Sequence, residues 1–224
     1  GLGMGVVALV RKVGKPRTAE QSITKAELPY TIAMIVLDIA APIFLLLGLS
    51  YTSAANASLL NNFEIVATSM IALFLFRETV SKKLWLAITL VTISSIMLSF
   101  EDMGSLQFSW GSLFVLLACI CWGFENNCTR MLSSKSSVQI TVIKGCFSGL
   151  GSLLVALLLR EPLPALNWIL CILLLGFVAY GLSINFYIMA QRHLGAAKTS
   201  AFYSIAPFLG VAFSMVLGER PGMQ

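Results

Sequence analysis

The chain has 224 residues, 58% of them hydrophobic and 11% charged, with a mean hydropathy of +0.88. A soluble domain carries about 25% charged residues to cover its surface, so 15 Lys+Arg and 10 Asp+Glu exclude a water-facing enzyme, a nucleic-acid-binding domain and a disordered chain. The composition is that of an integral membrane protein.

In chain order, the first ten residues, GLGMGVVALV, are apolar, end at Arg11-Lys12 and lack the basic n-region and cleavage site of a signal peptide. They are expected to be the tail of a membrane span, and the sequence a fragment that also stops four residues after Arg220. A bilayer-crossing helix needs about 20 mostly apolar residues. Seven full candidates follow: 29–50, 54–76, 82–100, 109–131, 138–159, 165–190 and 196–217. Their links are short, which favours antiparallel neighbours. The runs are too long and too continuously apolar for barrel strands. The predicted fold class is an all-α membrane protein.

Twelve basic residues fall at the span ends on one side: Arg11, Lys12, Lys15, Arg17, Lys25, Arg77, Lys82, Lys83, Arg130, Lys135, Arg192 and Lys198. Only Arg160 and Arg220 lie on the other, and Lys144 falls inside a span. By the positive-inside rule the basic side is cytoplasmic. The pI near 9.1 then reflects topology, with the lipid bilayer and not a nucleic acid as partner. Cys119, Cys121, Cys128, Cys146 and Cys171 all sit in apolar runs and read as small buried residues, not disulfides. His193, the single histidine, is placed in a short polar loop, so zinc or Ser-His-Asp chemistry has little to be built from. No catalytic residue, metal or cofactor is expected.

Residues 52–78, TSAANASLLNNFEIVATSMIALFLFRE, are similar to residues 194–219, LGAAKTSAFYSIAPFLGVAFSMVLGE. Both start with Ala-Ala-x-x-Ser and end in an acid, and they cross the membrane in opposite directions. Inverted repeats of this kind are characteristic of secondary transporters.

GLSYTSAANASLL with FRE beyond it, WGFENNCTRMLS, and QRHLGAAKTSAFYSIAP followed by GERP together resemble the EamA-type branch of the drug/metabolite transporter superfamily. The resemblance implies an inverted-repeat helical bundle of ten transmembrane helices in two five-helix halves. On that template residues 1–102 are the N-terminal repeat, from the end of helix two to helix five. Residues 103–224 are the C-terminal repeat, helices six to nine, with helix ten missing. It implies a multi-pass protein of the bacterial inner membrane that exports a small organic metabolite or drug by alternating access. A nucleotide-sugar-like or multidrug exchanger fits the same resemblance. The family often has a Glu-Pro pair in helices four and nine. Here the acid stands in one copy, Glu64 before Ile65, and the proline in the other, Pro207 after Ala206.

Ionisable residues within spans face the bundle interior, because lipid exposure costs at least ~2.5–3.5 kcal/mol. Asp38, with Pro42 one turn on, is the first. Glu64 follows, on a stripe with Ala57, Ser58, Asn61 and Thr68 at helical spacing. It reads as a substrate- or proton-binding carboxylate, or more simply as a helix-contact acid held by Asn or Ser. Glu125 and Lys144 lie equidistant from the loop between their spans, which predicts an ion pair at one depth, as a structural clamp or a gate. Trp122, Asn126 and Thr129 share the Glu125 face. Tyr180, Ser183, Tyr187 and Gln191 form a further stripe, as do Ser200, Tyr203, Pro207 and Ser214. Each hydroxyl alone reads as interhelical glue; the stripes together read as a pathway for a small-molecule substrate.

Gly145-x-x-x-Gly149 with Gly151 permits close packing within the bundle, and a homodimer stays open. The other classes are an intramembrane enzyme, for which HExxH, GxSxG and paired intramembrane aspartates are lacking, and a channel or structural scaffold. No GxxxxGK[ST] loop is present for ATP drive.

Overall fold

The computed structural model describes residues 1–14, 21–52, 57, 60–99, 110–162, 164–205 and 209. Every regular element among them is helical. Helix α1 is Leu2–Gly14, and a short 3-10 turn, Lys25–Glu27, leads into α2, Leu28–Tyr51. Then come α3, Phe63–Phe74, α4, Lys82–Ser99, α5, Trp110–Leu132, and α6, Ser137–Leu158. Helix α7, Leu166–Leu175, passes through a π-helical segment, Gly176–Leu182, into α8, Ser183–Leu194, and α9 is Ala196–Tyr203. Among the described residues, four helical stretches are long and apolar enough to cross a membrane: Lys25–Tyr51, Trp110–Leu132, Ser137–Leu158 and Leu166–Leu194.

The predicted spans 29–50, 82–100, 109–131 and 138–159 lie within two residues of α2, α4, α5 and α6. One difference has a physical cause. The span expected to end at residue 190 runs on to Leu194, so His193 lies in the last turn of α8 and not in a loop. Helical bonding persists through the polar Gln191-Arg192-His193, whose basic groups suit a helix C-terminus. It stops at Gly195, where φ is +82°.

Helix α5 is the centre of the bundle, packed along α2 and α3 and touching α8. Half of its apolar stretch is buried, against 11% for Leu166–Leu194. Small residues allow this. A Cβ on Gly111 would stand 2.8 Å from the Gly48 carbonyl of α2, and one on Gly123 2.9 Å from Ala67 of α3. Helix α6 packs on α1, α2 and α8, and α9 packs on α3 and α8. The expected small-residue motif of α6 is used unevenly: Gly145 faces Gly1 and Gly151 faces Ile39, but nothing lies within 4 Å of Gly149.

An apolar cluster of Met34, Cys128, Leu132, Ile140 and Ile188 joins α2, α5, α6 and α8. All five cysteines are unpaired, and Cys171 is exposed, against the expectation of burial. The outer faces are apolar too: Leu28, Ile32 and Val36, four residues apart along α2, are each more than half exposed. Water would penalise such a surface, whereas hydrocarbon accepts it. The protein is a multi-pass membrane protein.

The basic side is tied by polar contacts. Thr24 donates its backbone N–H (2.7 Å) and hydroxyl (2.5 Å) to Glu27, closing the turn before α2. Lys135, in the α5–α6 link, reaches Glu27 at 3.2 Å.

Candidate functional site

In the last third of α5, toward Arg130, the apolar pattern gives way to Glu125-Asn126-Asn127, followed by Thr129, and all four are buried. Successive helical residues point about 100° apart, so this run reaches toward different neighbours. Glu125 faces α6 and α2. Lys144 Nζ lies 3.1 Å from Glu125 Oε1 and 3.3 Å from Asp38 Oδ1, so one ammonium joins carboxylates from two other helices. The Thr129 hydroxyl, one turn on, donates to the Glu125 carboxylate. Pro42 lies inside α2 and has no N–H to offer the Asp38 carbonyl one turn back.

Asn126 faces α3. Its Nδ2 donates to Glu64 Oε1 at 2.9 Å and to Thr68 Oγ1 at 3.3 Å. Asn127 Nδ2 donates to the Thr68 carbonyl at 3.0 Å and to the Gly123 carbonyl at 2.8 Å. From α8, the fully buried Gln191 donates Nε2 to the Asn126 carbonyl at 2.9 Å. Five helices thus meet in one polar layer inside an apolar bundle.

The layer's charges are unequal. Among the described residues, Asp38, Glu64 and Glu125 are three carboxylates against the one ammonium of Lys144. Asp38 and Glu125 are held by it. Glu64 makes no ion pair among the described residues and is held by the neutral amide of Asn126.

The expected site residues divide clearly. Asp38, Glu64, Glu125, Asn126 and Lys144 come together in the layer. Tyr187 and Tyr203 pack edge to face, with centroids 5.5 Å apart, joining α8 to α9. Trp122 and Asn61 are half-buried; the Asn61 carbonyl lies 3.6 Å from Cys119 Sγ. Tyr180 does not join them: it is 65% exposed. It lies in the π segment, whose wider turns rotate it away from the face that ordinary helical spacing from Ser183 implies. Ser58 and Pro207 lie outside the described residues. Asn127 was not singled out, and Gln191 was placed on a polar stripe without its partner on α5. The polar run within an apolar span was the available signal for Asn127, but the reach of Gln191 to a backbone carbonyl depends on tertiary packing.

The sequence model of the EamA-like transporter family matches residues 2–100 and 109–224. An uncharacterized transporter of Methanothermobacter thermautotrophicus is 26% identical over 199 residues, 85% of this chain and 57% of that protein. The uncharacterized transporter YyaM of Bacillus subtilis is 23% identical over 180 residues, 76% of this chain and 59% of that protein. The chain therefore spans less than two-thirds of the length of these relatives. A solved crystal structure superposes with a TM-score of 0.78 at 15% identity, covering 99% of this chain and 76% of that one. At that identity the likeness is one of fold.

Proposed function

Because the chain belongs to the EamA-like transporter family, we propose that it works in a secondary transporter that exports a small organic metabolite or drug by alternating access. The observation that carries this reading is the polar layer in which Asp38, Glu64, Glu125, Asn126 and Lys144 meet. A polar layer deep in an apolar bundle is where a solute or coupling ion binds in such proteins. The two matched segments support two repeats, residues 1–102 and 103–224, inverted with respect to each other. The basic side is taken as cytoplasmic.

Within this reading the acids have different tasks. Glu125 and Asp38 clamp Lys144, so α2, α5 and α6 move together. Glu64 gains or loses a proton, or meets a cationic group of the substrate, without breaking an ion pair. Tyr187 and Tyr203 offer apolar faces with hydroxyl edges beside the layer.

The test uses the full-length protein in liposomes. Accelerated uptake after preloading with an amino acid, a nucleoside or a cationic drug is the expected counterflow result. Absence of saturable flux for all three classes defeats the reading, and flux without counterflow identifies a channel. Glu64→Gln is expected to abolish pH-gradient-driven flux while leaving membrane insertion intact. Unchanged proton-driven flux in that variant removes Glu64 from coupling.

A further inference from the structure

A second polar region lies at the basic end of the bundle, apart from the layer. Beyond α3 the chain turns so that Glu78 Oε2 accepts the backbone N–H of Ala196, the first residue of α9, at 3.1 Å. The same oxygen lies 3.7 Å from Arg130 Nε on α5. Gly195 makes room for this contact: a Cβ there would stand 2.2 Å from Glu78 Oε1. Glu78 thus places negative charge at a helix N-terminus, where the exposed N–H groups and the helix dipole favour an anion.

This corner opens into a cavity of about 360 Å³, within the size range of small-molecule sites. Arg130, Arg192 and Lys198 line it, with His193, and Glu78 is the acidic residue among the described lining groups. Among the described lining residues, Arg130 and Lys198 bring positive charge to the side of the cavity where Glu78 lies. The Arg192 guanidinium is fixed in place by bonds to the Ser133 and Lys135 carbonyls, both 2.6 Å. Arg130 Nε is buried and has no hydrogen-bond partner, since 3.7 Å to Glu78 is an ion-pair distance only. Ser81 also lines the cavity, its Oγ accepting the Leu84 N–H at 3.3 Å. A cavity with surplus fixed positive charge and an unengaged guanidinium donor is complementary to a multivalent oxyanion.

We propose that this cavity is an anion site for a phosphate group, in which Glu78 is the resident internal competitor. The phosphate belongs to a free phosphate compound or to the headgroup of an anionic lipid. Its oxygens engage Arg130, Lys198 and the first turn of α9. Binding displaces Glu78 from Ala196 and loosens the tie between the end of α3 and the start of α9.

The experiment has two arms, both with the full-length protein. Inorganic phosphate is titrated calorimetrically into protein in phosphatidylcholine nanodiscs. Retention of phosphatidylglycerol against phosphatidylcholine is measured by native mass spectrometry in detergent. Binding in the first arm alone identifies a free anion, and selective retention in the second alone identifies a lipid headgroup; either supports the proposal. For whichever probe binds, Lys198→Gln and Arg130→Gln are each expected to weaken it about tenfold, the scale of losing a charge-assisted contact. Glu78→Gln is expected to tighten it by a similar factor, about tenfold. Lys198 is exposed, so its variant keeps the test informative even if Arg130→Gln folds poorly. No binding in either arm overturns the proposal, as does binding insensitive to Lys198→Gln or weakened by Glu78→Gln.

Discussion

Two ion pairs in this chain show how much surroundings govern the value of a charge. In the polar layer, Lys144 and Glu125 stand 3.1 Å apart with side chains 10% and 3% exposed. At the basic end, Arg130 and Glu78 stand 3.7 Å apart with side chains 42% and 16% exposed. The first pair is closed off by α2, α5 and α6, and Asp38 completes it. The second borders an open cavity and shares its carboxylate with a helix N-terminus. A charge in the layer has no water to fall back on, so removing its partner exposes its full desolvation cost. A charge at the cavity is screened, and its partner is exchangeable.

The comparison breaks most visibly at Lys144. Lys144→Met alone leaves the buried Glu125 carboxylate without its counter-ion beside the part-buried Asp38 and is expected to cost about 3–5 kcal/mol, read as loss of monodisperse protein on fluorescence-detected size exclusion. Adding Glu125→Gln should recover part of that loss, and adding Asp38→Asn more. Defects that simply add would show that the three groups are not coupled. Next is Gly123→Leu, which drives a side chain into Ala67 and Thr68 where α3 meets α5. It should cost about 1–3 kcal/mol, measured as a lower unfolding midpoint in mild detergent. Gly195→Ala combines a positive φ with a clash against Glu78. An expected loss of about 1–2 kcal/mol should shrink when Glu78 is also shortened to Ala, because the clash then disappears and the strain remains. The smallest effect is expected for Arg130→Gln, at most about 1 kcal/mol of stability, with its main consequence in anion binding. A large stability loss there would place Arg130 with the buried layer and end the distinction.

Much of the bundle was legible because a bilayer imposes a simple rule on sequence: length and hydropathy mark the spans, and α2, α4, α5 and α6 lie close to where they were expected. The Glu125–Lys144 contact was legible for a related reason. A short loop forces two helices to run antiparallel, so equal distances from the loop become equal depth. Asp38 could not be joined to that pair in the same way, because no short loop connects α2 to α6. Tyr180 was misplaced because a π segment interrupts helical spacing, and the apolar run from Leu175 to Leu182 carries no mark of it. The reach of Glu78 to the start of α9 was equally hidden. In sequence Glu78 is only an acid after a span, and the cation beside it belongs to another helix.

What the sequence determined by itself is whatever follows from local chemistry in a membrane: the helical class, most span limits, the basic side, and the few polar groups that must turn inward. The tertiary structure alone decided which of those groups meet. It made α5 the hub, gave Lys144 two carboxylates and left Glu64 to an amide. It also gathered Arg130, Arg192 and Lys198 into one cavity. The reason is physical: hydropathy is a sum over neighbours along the chain, whereas an ion pair depends on a crossing of helices, set by where glycines let two backbones approach.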